Sequence, residues 1–142
     1  MRIHREHVSV RYAETDRMGV AHHSSYLLWF ELGRTGLLRE AGYAYRDLEA
    51  SGCLLPVLEY GCTFHRGADY DDRLVIETTV RALRSRTVVF AYRTLRDEEL
   101  LAEGFTRHLC VDGSNLPRRL PDDVRRAVAD FLLPPEHPST EL

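Results

Sequence analysis

Apolar and polar residues alternate at the start of the chain, where Ile3, Val8, Val10 and Tyr12 stand among arginines, histidines and an acid. A period of two marks a half-buried strand and predicts one over Ile3 to Arg11. The pattern then changes. From Ser24 to Ala41 the chain reads SSYLLWFELGRTGLLREA, too long for a strand, and its polar residues Ser24, Glu31, Thr35 and Arg39 recur at seven and then four. That leaves one narrow polar stripe on an apolar cylinder and predicts a helix nearly surrounded by protein. Ser24 or Ser25 suits the N-cap, and Gly42 the stop. Gly33 and Gly36 each cost up to about 1 kcal/mol of helix propensity, so a helix keeping both is expected to lie close against something such as a sheet.

AYRDLEAS reads as a short second helix. Four further strands are predicted over Leu54 to His65, Arg73 to Leu83, Thr87 to Arg96 and Leu100 to Asp112, the middle two rich in β-branched and aromatic residues. DEE reads as the hairpin turn between the last two. Pro117 and Pro121 end the sheet, and DDVRRAVADFL makes an amphipathic C-terminal helix. One domain is expected over 1–133, with a tail over 134–142. Short turns between successive strands favour antiparallel pairing. The class is therefore α+β: a curved antiparallel five-stranded sheet around one long helix. Its outer face and edges need cover, for which self-association is the common answer.

Composition narrows the function classes. The 142 residues carry 19 basic and 22 acidic side chains, a net charge of −3, which argues against a nucleic-acid-binding surface. No apolar run approaches the ~20 residues of a membrane span, and the N-terminus lacks an apolar signal-peptide core. Three widely spaced cysteines, Cys53, Cys62 and Cys110, suggest reduced thiols packed in a cytoplasmic protein.

The polar loop RYAETDRMGVAHHSSY, Arg11 to Tyr26, carries the candidate chemistry. It leads from Asp16 through Gly19 to the start of the apolar helix. A helix N-terminus offers unpaired N–H donors and a partial positive charge, which can stabilise a carbonyl oxygen as it becomes an oxyanion. A carboxylate nearby can attack that carbonyl or activate a water. Gly19 gives the backbone freedom to turn between the two parts. The competing reading of Asp16 is a cap or dipole partner. Glu14 reads as a solvated or structural acid. His22 and His23 are adjacent and do not share a helix face, no metal-ligand spacing occurs, and a metal is not expected. There is no G-x-S-x-G elbow. His65 and His108, in or beside strands, read as structural. Arg84 and Arg86, with Arg81 nearby, surround a predicted strand turn and suit either solvent or phosphate.

RYAETDRMGVAHHSSYLLWFELGRTGLLRE resembles the signature of the 4-hydroxybenzoyl-CoA thioesterase-like branch of the hot-dog-fold superfamily, approximately Y-x-D-T-D-x-x-G-V-V-Y-H-x-N-Y-x-x-W-F-E-x-x-R. The resemblance continues through YDDRLVIET and LLAEGFTRHLCVD, to about Pro121. It implies the same sheet-wrapped helix and hydrolysis of acyl-CoA thioesters without metal or organic cofactor. Asp16 falls on the family's catalytic aspartate, as nucleophile or general base. His23 falls where the family uses a backbone N–H to polarise the thioester carbonyl. The resemblance further implies a dimer or tetramer with sites between subunits. Glu14 replaces the first aspartate of the signature. His22 replaces an aromatic residue and Ser25 an asparagine, both flanking the site and bearing on acyl preference. Gly19, His22, Ser25, Arg84 and Arg86 are the expected substrate-binding positions. Thioesters on an acyl carrier protein, or acyl-CoA binding without catalysis, are the alternatives.

Overall fold

A computed structural model describes residues 1–134. The elements in chain order are β1 (His4–Ser9), a 3-10 turn (Tyr12–Glu14), α1 (His23–Glu40), α2 (Tyr45–Ala50), β2 (Val57–Phe64), β3 (Arg73–Leu83), β4 (Thr87–Arg96), β5 (Glu99–Leu109) and α3 (Asp122–Ala129). The five strands form one antiparallel sheet in the order β1-β3-β4-β5-β2. The first two strands thus lie at opposite edges, with α1 between them in sequence.

The face of α1 that carries Tyr26, Trp29, Phe30, Gly33, Gly36, Leu37 and Leu38 is buried. It meets Leu74, Ile76, Val80, Phe90 and Tyr92 of β3 and β4. The Phe30 and Tyr92 rings stack 4.3 Å apart. Complete burial of side chains such as Trp29, Phe30, Leu37 and Leu38 contributes about 1.5–3 kcal/mol each before the entropic cost of ordering them. Gly33 is the contact point expected of it: a Cβ there would overlap Thr78 Oγ1 and come 3.2 Å from Ile76 Cγ2. Val124, Val128 and Phe131, on and just after α3, close the far end of the core.

β3 and β4 have the predicted bounds. β1 is shorter than Ile3 to Arg11, and β2 shorter than Leu54 to His65, with Leu54 making only an isolated bridge to Val111. β5 starts at Glu99, because Arg96 pairs with Glu99 and the hairpin needs only Asp97 and Glu98; Asp97 takes a left-handed φ of 50°. Gly42 stops α1 with φ 103°. The N-cap is neither serine. It is His22, whose Nδ1 accepts from Ser24 N–H, because helical geometry begins at His23. Nor is α1 surrounded within one chain: Leu28 and Leu32 are about half exposed, at 52% and 48%. Beyond Pro134, the expected tail lies outside the described residues.

Candidate active site at the start of the central helix

The loop before α1 is a small hairpin. Thr15 bridges Ala21, Asp16 N–H donates to Val20 O (2.8 Å), and Gly19 N–H returns to Asp16 O (3.1 Å). Gly19 has φ 84°, a region that favours glycine, and a Cβ there would meet nothing within 4 Å. Backbone conformation, rather than space, requires this glycine. The hairpin is fastened to the connection between β2 and β3 through the Ala21 N–H bond to Ala68 O (2.7 Å) and a Val20–Asp69 bridge.

Asp16 is partly exposed. Its Oδ1 accepts from Met18 N–H at 2.8 Å, so one oxygen caps the hairpin's own turn. The helix cap is His22 instead, and Asp16 is not spent on it. His22 Nδ1 takes both the Ser24 N–H (3.2 Å) and the Ser24 hydroxyl (2.8 Å).

The amides at the start of α1 are nearly all engaged. His22 N–H donates to Glu14 O, Ser24 N–H to His22 Nδ1 and Ser25 N–H to His22 O. Among the described residues, no hydrogen bond uses the His23 N–H. This amide is therefore an open donor at the positive end of an 18-residue helix.

An open cleft of about 320 Å³ lies beside it, walled by Val20, Ala21, His23 and Tyr26 on one side and Phe64, His65, Arg66 and Gly67 on the other. Asp16 does not line the cleft; it stands behind the Val20 wall, to which its N–H is bonded. Phe64 packs edge-on against Tyr26 at 5.0 Å. The second wall comes from the end of β2, about forty residues further along the chain, and no local pattern pointed to it. Its signal was aromatic: an exposed Phe on a strand edge.

Ser25 is buried, and its hydroxyl donates to Glu14 O at 2.9 Å, so it fastens the loop rather than presenting itself to a ligand. Glu14 is not solvated, as one of its two readings had it. It is 7% exposed and accepts from Arg11 N–H, the Arg11 guanidinium and Trp29 Nε1–H. Burial pushes its carboxyl pKa up, but these donors outweigh burial and hold it below the ordinary carboxylate value.

Arg84 and Arg86 are exposed in the β3–β4 turn. The length of β3, eleven residues and roughly 33 Å at the usual rise, separates that turn from the Asp16 hairpin. One chain does not bring them together. Arg81 stacks over Phe105, 5.0 Å from the ring centre. His108 is a core histidine, as expected. Its Nδ1–H donates to Leu55 O, and its Nε2 accepts from Thr106. His65 pairs with Glu103 in the open.

A five-stranded antiparallel sheet packed on one long helix is the hot-dog fold. The chain belongs to the thioesterase-like superfamily, whose family model matches residues 10–128. The acyl-CoA thioester hydrolase YbgC of Escherichia coli O157:H7 is 33% identical over 126 residues, covering 87% of this chain and 92% of its own. The crystal structure of protein TT1821 from Thermus thermophilus superposes with a TM-score of 0.86 at 43% identity, over 89% of this chain and 98% of that one. A DHNA-CoA thioesterase from Staphylococcus aureus gives 0.86 at 28% identity, over 90% and 89%. These matches place the protein among thioester-hydrolysing enzymes. No helix among the described residues is long and apolar enough to cross a membrane.

Proposed function

We propose that the protein hydrolyses acyl-CoA thioesters to a free carboxylic acid and CoA, with Asp16 and the His23 amide as its working groups. The observation that carries this reading is the unengaged His23 N–H at the start of α1, beside the cleft and next to the Asp16 hairpin. In this reading the thioester carbonyl oxygen accepts from His23 N–H, which stabilises negative charge as the carbon becomes tetrahedral. Asp16 attacks that carbon or takes a proton from the water that does. The carbonyl then re-forms and expels the CoA thiolate, and where Asp16 is the nucleophile, water then cleaves the Asp16–acyl anhydride to release the acid and restore the carboxylate. Val20, Tyr26 and Phe64 offer the acyl group an apolar surface, and His22 borders it.

A homo-oligomer completes the site in this reading. β2 is an edge strand whose helix-side residues Tyr60 and Phe64 stay 58% and 49% exposed. A second copy paired antiparallel along β2 would cover them. It would also bring its opposite end, where Arg84 and Arg86 lie, toward this cleft, which is how those arginines would meet CoA phosphates.

Asp16→Asn is the test. The amide keeps an Oδ1 to accept from Met18 N–H, so the hairpin survives, but it is a poor nucleophile and a poor base. Turnover across a panel of aryl-, short- and long-chain acyl-CoAs is expected to fall at least about 100-fold with an unchanged unfolding midpoint. Near wild-type turnover on the best substrate would overturn the assignment.

A further inference from the structure

We infer that Glu14 is the positioning residue of this site: its clamp holds the Asp16 hairpin on α1 and leaves the His23 amide open. The inference rests on the catalytic reading above. Three N–H donors converge on one buried carboxylate. Arg11 N–H reaches Oε1 at 2.7 Å, and the Arg11 guanidinium (3.2 Å) and Trp29 indole (3.1 Å) share Oε2. The carbonyl of the same residue accepts His22 N–H at 2.7 Å and the Ser25 hydroxyl at 2.9 Å. One residue thus bonds the strand side of the loop at Arg11, its far end at His22, and two places on α1 at Ser25 and Trp29. The segment enclosed between these bonds carries Asp16.

The clamp also selects the donor. By taking the His22 N–H, Glu14 leaves His22 placed so that its Nδ1 and carbonyl take the Ser24 and Ser25 amides, the second and third of the helix. The amide passed over is that of His23. Misplacing a reacting group by an ångström costs rate without costing binding, so the signature of a lost clamp is a kcat effect.

A carboxylate is required here because both its oxygens accept and neither donates. Glutamine fits the space but offers one acceptor and turns an NH2 group toward an N–H. Glu14→Gln is therefore expected to lower kcat about 10- to 100-fold with KM within about two-fold of wild type. Exchange of the His22 amide, measured by NMR, should accelerate at least about tenfold, while the β3 and β4 amides of Ile76 and Phe90 keep their protection. Glu14→Asp, which keeps two acceptors, should recover part of kcat. Trp29→Phe, which removes one donor of three, should cost less than Glu14→Gln. Wild-type kcat in Glu14→Gln, unchanged His22 exchange, or equal acceleration at Ile76 and Phe90 would each overturn the inference. Asp16→Asn measured alongside separates the two proposals. An active Asp16→Asn strikes the proposed function, whereas an inert Asp16→Asn beside a fully active Glu14→Gln strikes the clamp alone.

Discussion

Two acids two positions apart have opposite environments. The side-chain bond of Asp16 stays inside its own turn, at Met18 N–H, whereas Glu14 is bonded by the indole of Trp29, fifteen residues further on. Asp16 was legible in the sequence because its loop, glycine and following helix are contiguous. The reach of Glu14 was not, because nothing local says that an acid turns inward to meet an indole from the second turn of a helix. His108 shows a buried polar group whose consequence is thermodynamic. Burial, with the Arg34 charge adding to it, lowers its pKa to about 4 against the bonds that favour the charged ring. Between pH 6.5 and about 4 the unfolded chain binds a proton that the folded one refuses, so stability falls as pH falls through that window. The loss from this group approaches about 3 kcal/mol. Urea unfolding at pH 7 and pH 4.5 should show His108→Asn less stable than wild type at pH 7. It should also lose about 2 kcal/mol less between the two pH values. Equal losses in the two proteins would remove His108 from the acid sensitivity.

At the scale of elements, periodicity located α1, β3 and β4 because each is long and buried along one continuous face. Boundaries set by pairing were less legible. Leu54 has the pattern of a strand residue, but the β2–β5 ladder begins at Val57 with a register shift before Glu59, and Leu54 is left with an isolated bridge. Ser24 and Ser25 are the better cap residues by propensity, whereas the helix starts two residues earlier than a Ser24 cap would set it, and the histidine caps it. The two helix glycines were expected to mark a close approach, and the structure distinguishes them. A Cβ at Gly33 would overlap the short, branched, fully buried Thr78 and crowd Ile76. At Gly36 it would meet only the far ends of the His4 and Glu6 side chains. Alanine gains about 1 kcal/mol of helix propensity at either site. Gly33→Ala should nevertheless be destabilised by about 1–3 kcal/mol, because the strand beneath cannot move aside. Gly36→Ala should lie within about 1 kcal/mol of wild type, since those two side chains can swing away. Thermal unfolding of the pair checks the order, and a more stable Gly33→Ala would mean that α1 does not sit on β3 as closely as drawn.

The whole molecule is a sheet of five strands with a helix over only part of one face. α1 packs mainly on β1, β3 and β4 and reaches β2 at Phe64 through Tyr26, which leaves Tyr60 and Phe64 largely exposed beside a strand edge that has no partner among the described residues. The need for cover was readable from the strand count, but which edge needs it was not. Chain order makes β2 the second strand, and only the long crossing through α1 sends it to the far side of the sheet. An eight-residue edge strand with aromatic side chains is a template for pairing. Its end at Phe64 forms one wall of the cleft beside His23. Pairing two copies along β2 would therefore bury the apolar edge and close the cleft in one step, and assembly and activity should be lost together. Tyr60→Lys tests this without touching the cleft, because a lysine on the bare side of the edge strand opposes pairing. Sedimentation should show wild type as a dimer or tetramer at micromolar concentration. The variant should shift toward monomer with its fold intact by circular dichroism, and acyl-CoA hydrolysis should drop at least about tenfold. A fully active monomer, whether variant or wild type, would show that one chain suffices for the chemistry and that the β2 edge is covered by something other than a second copy.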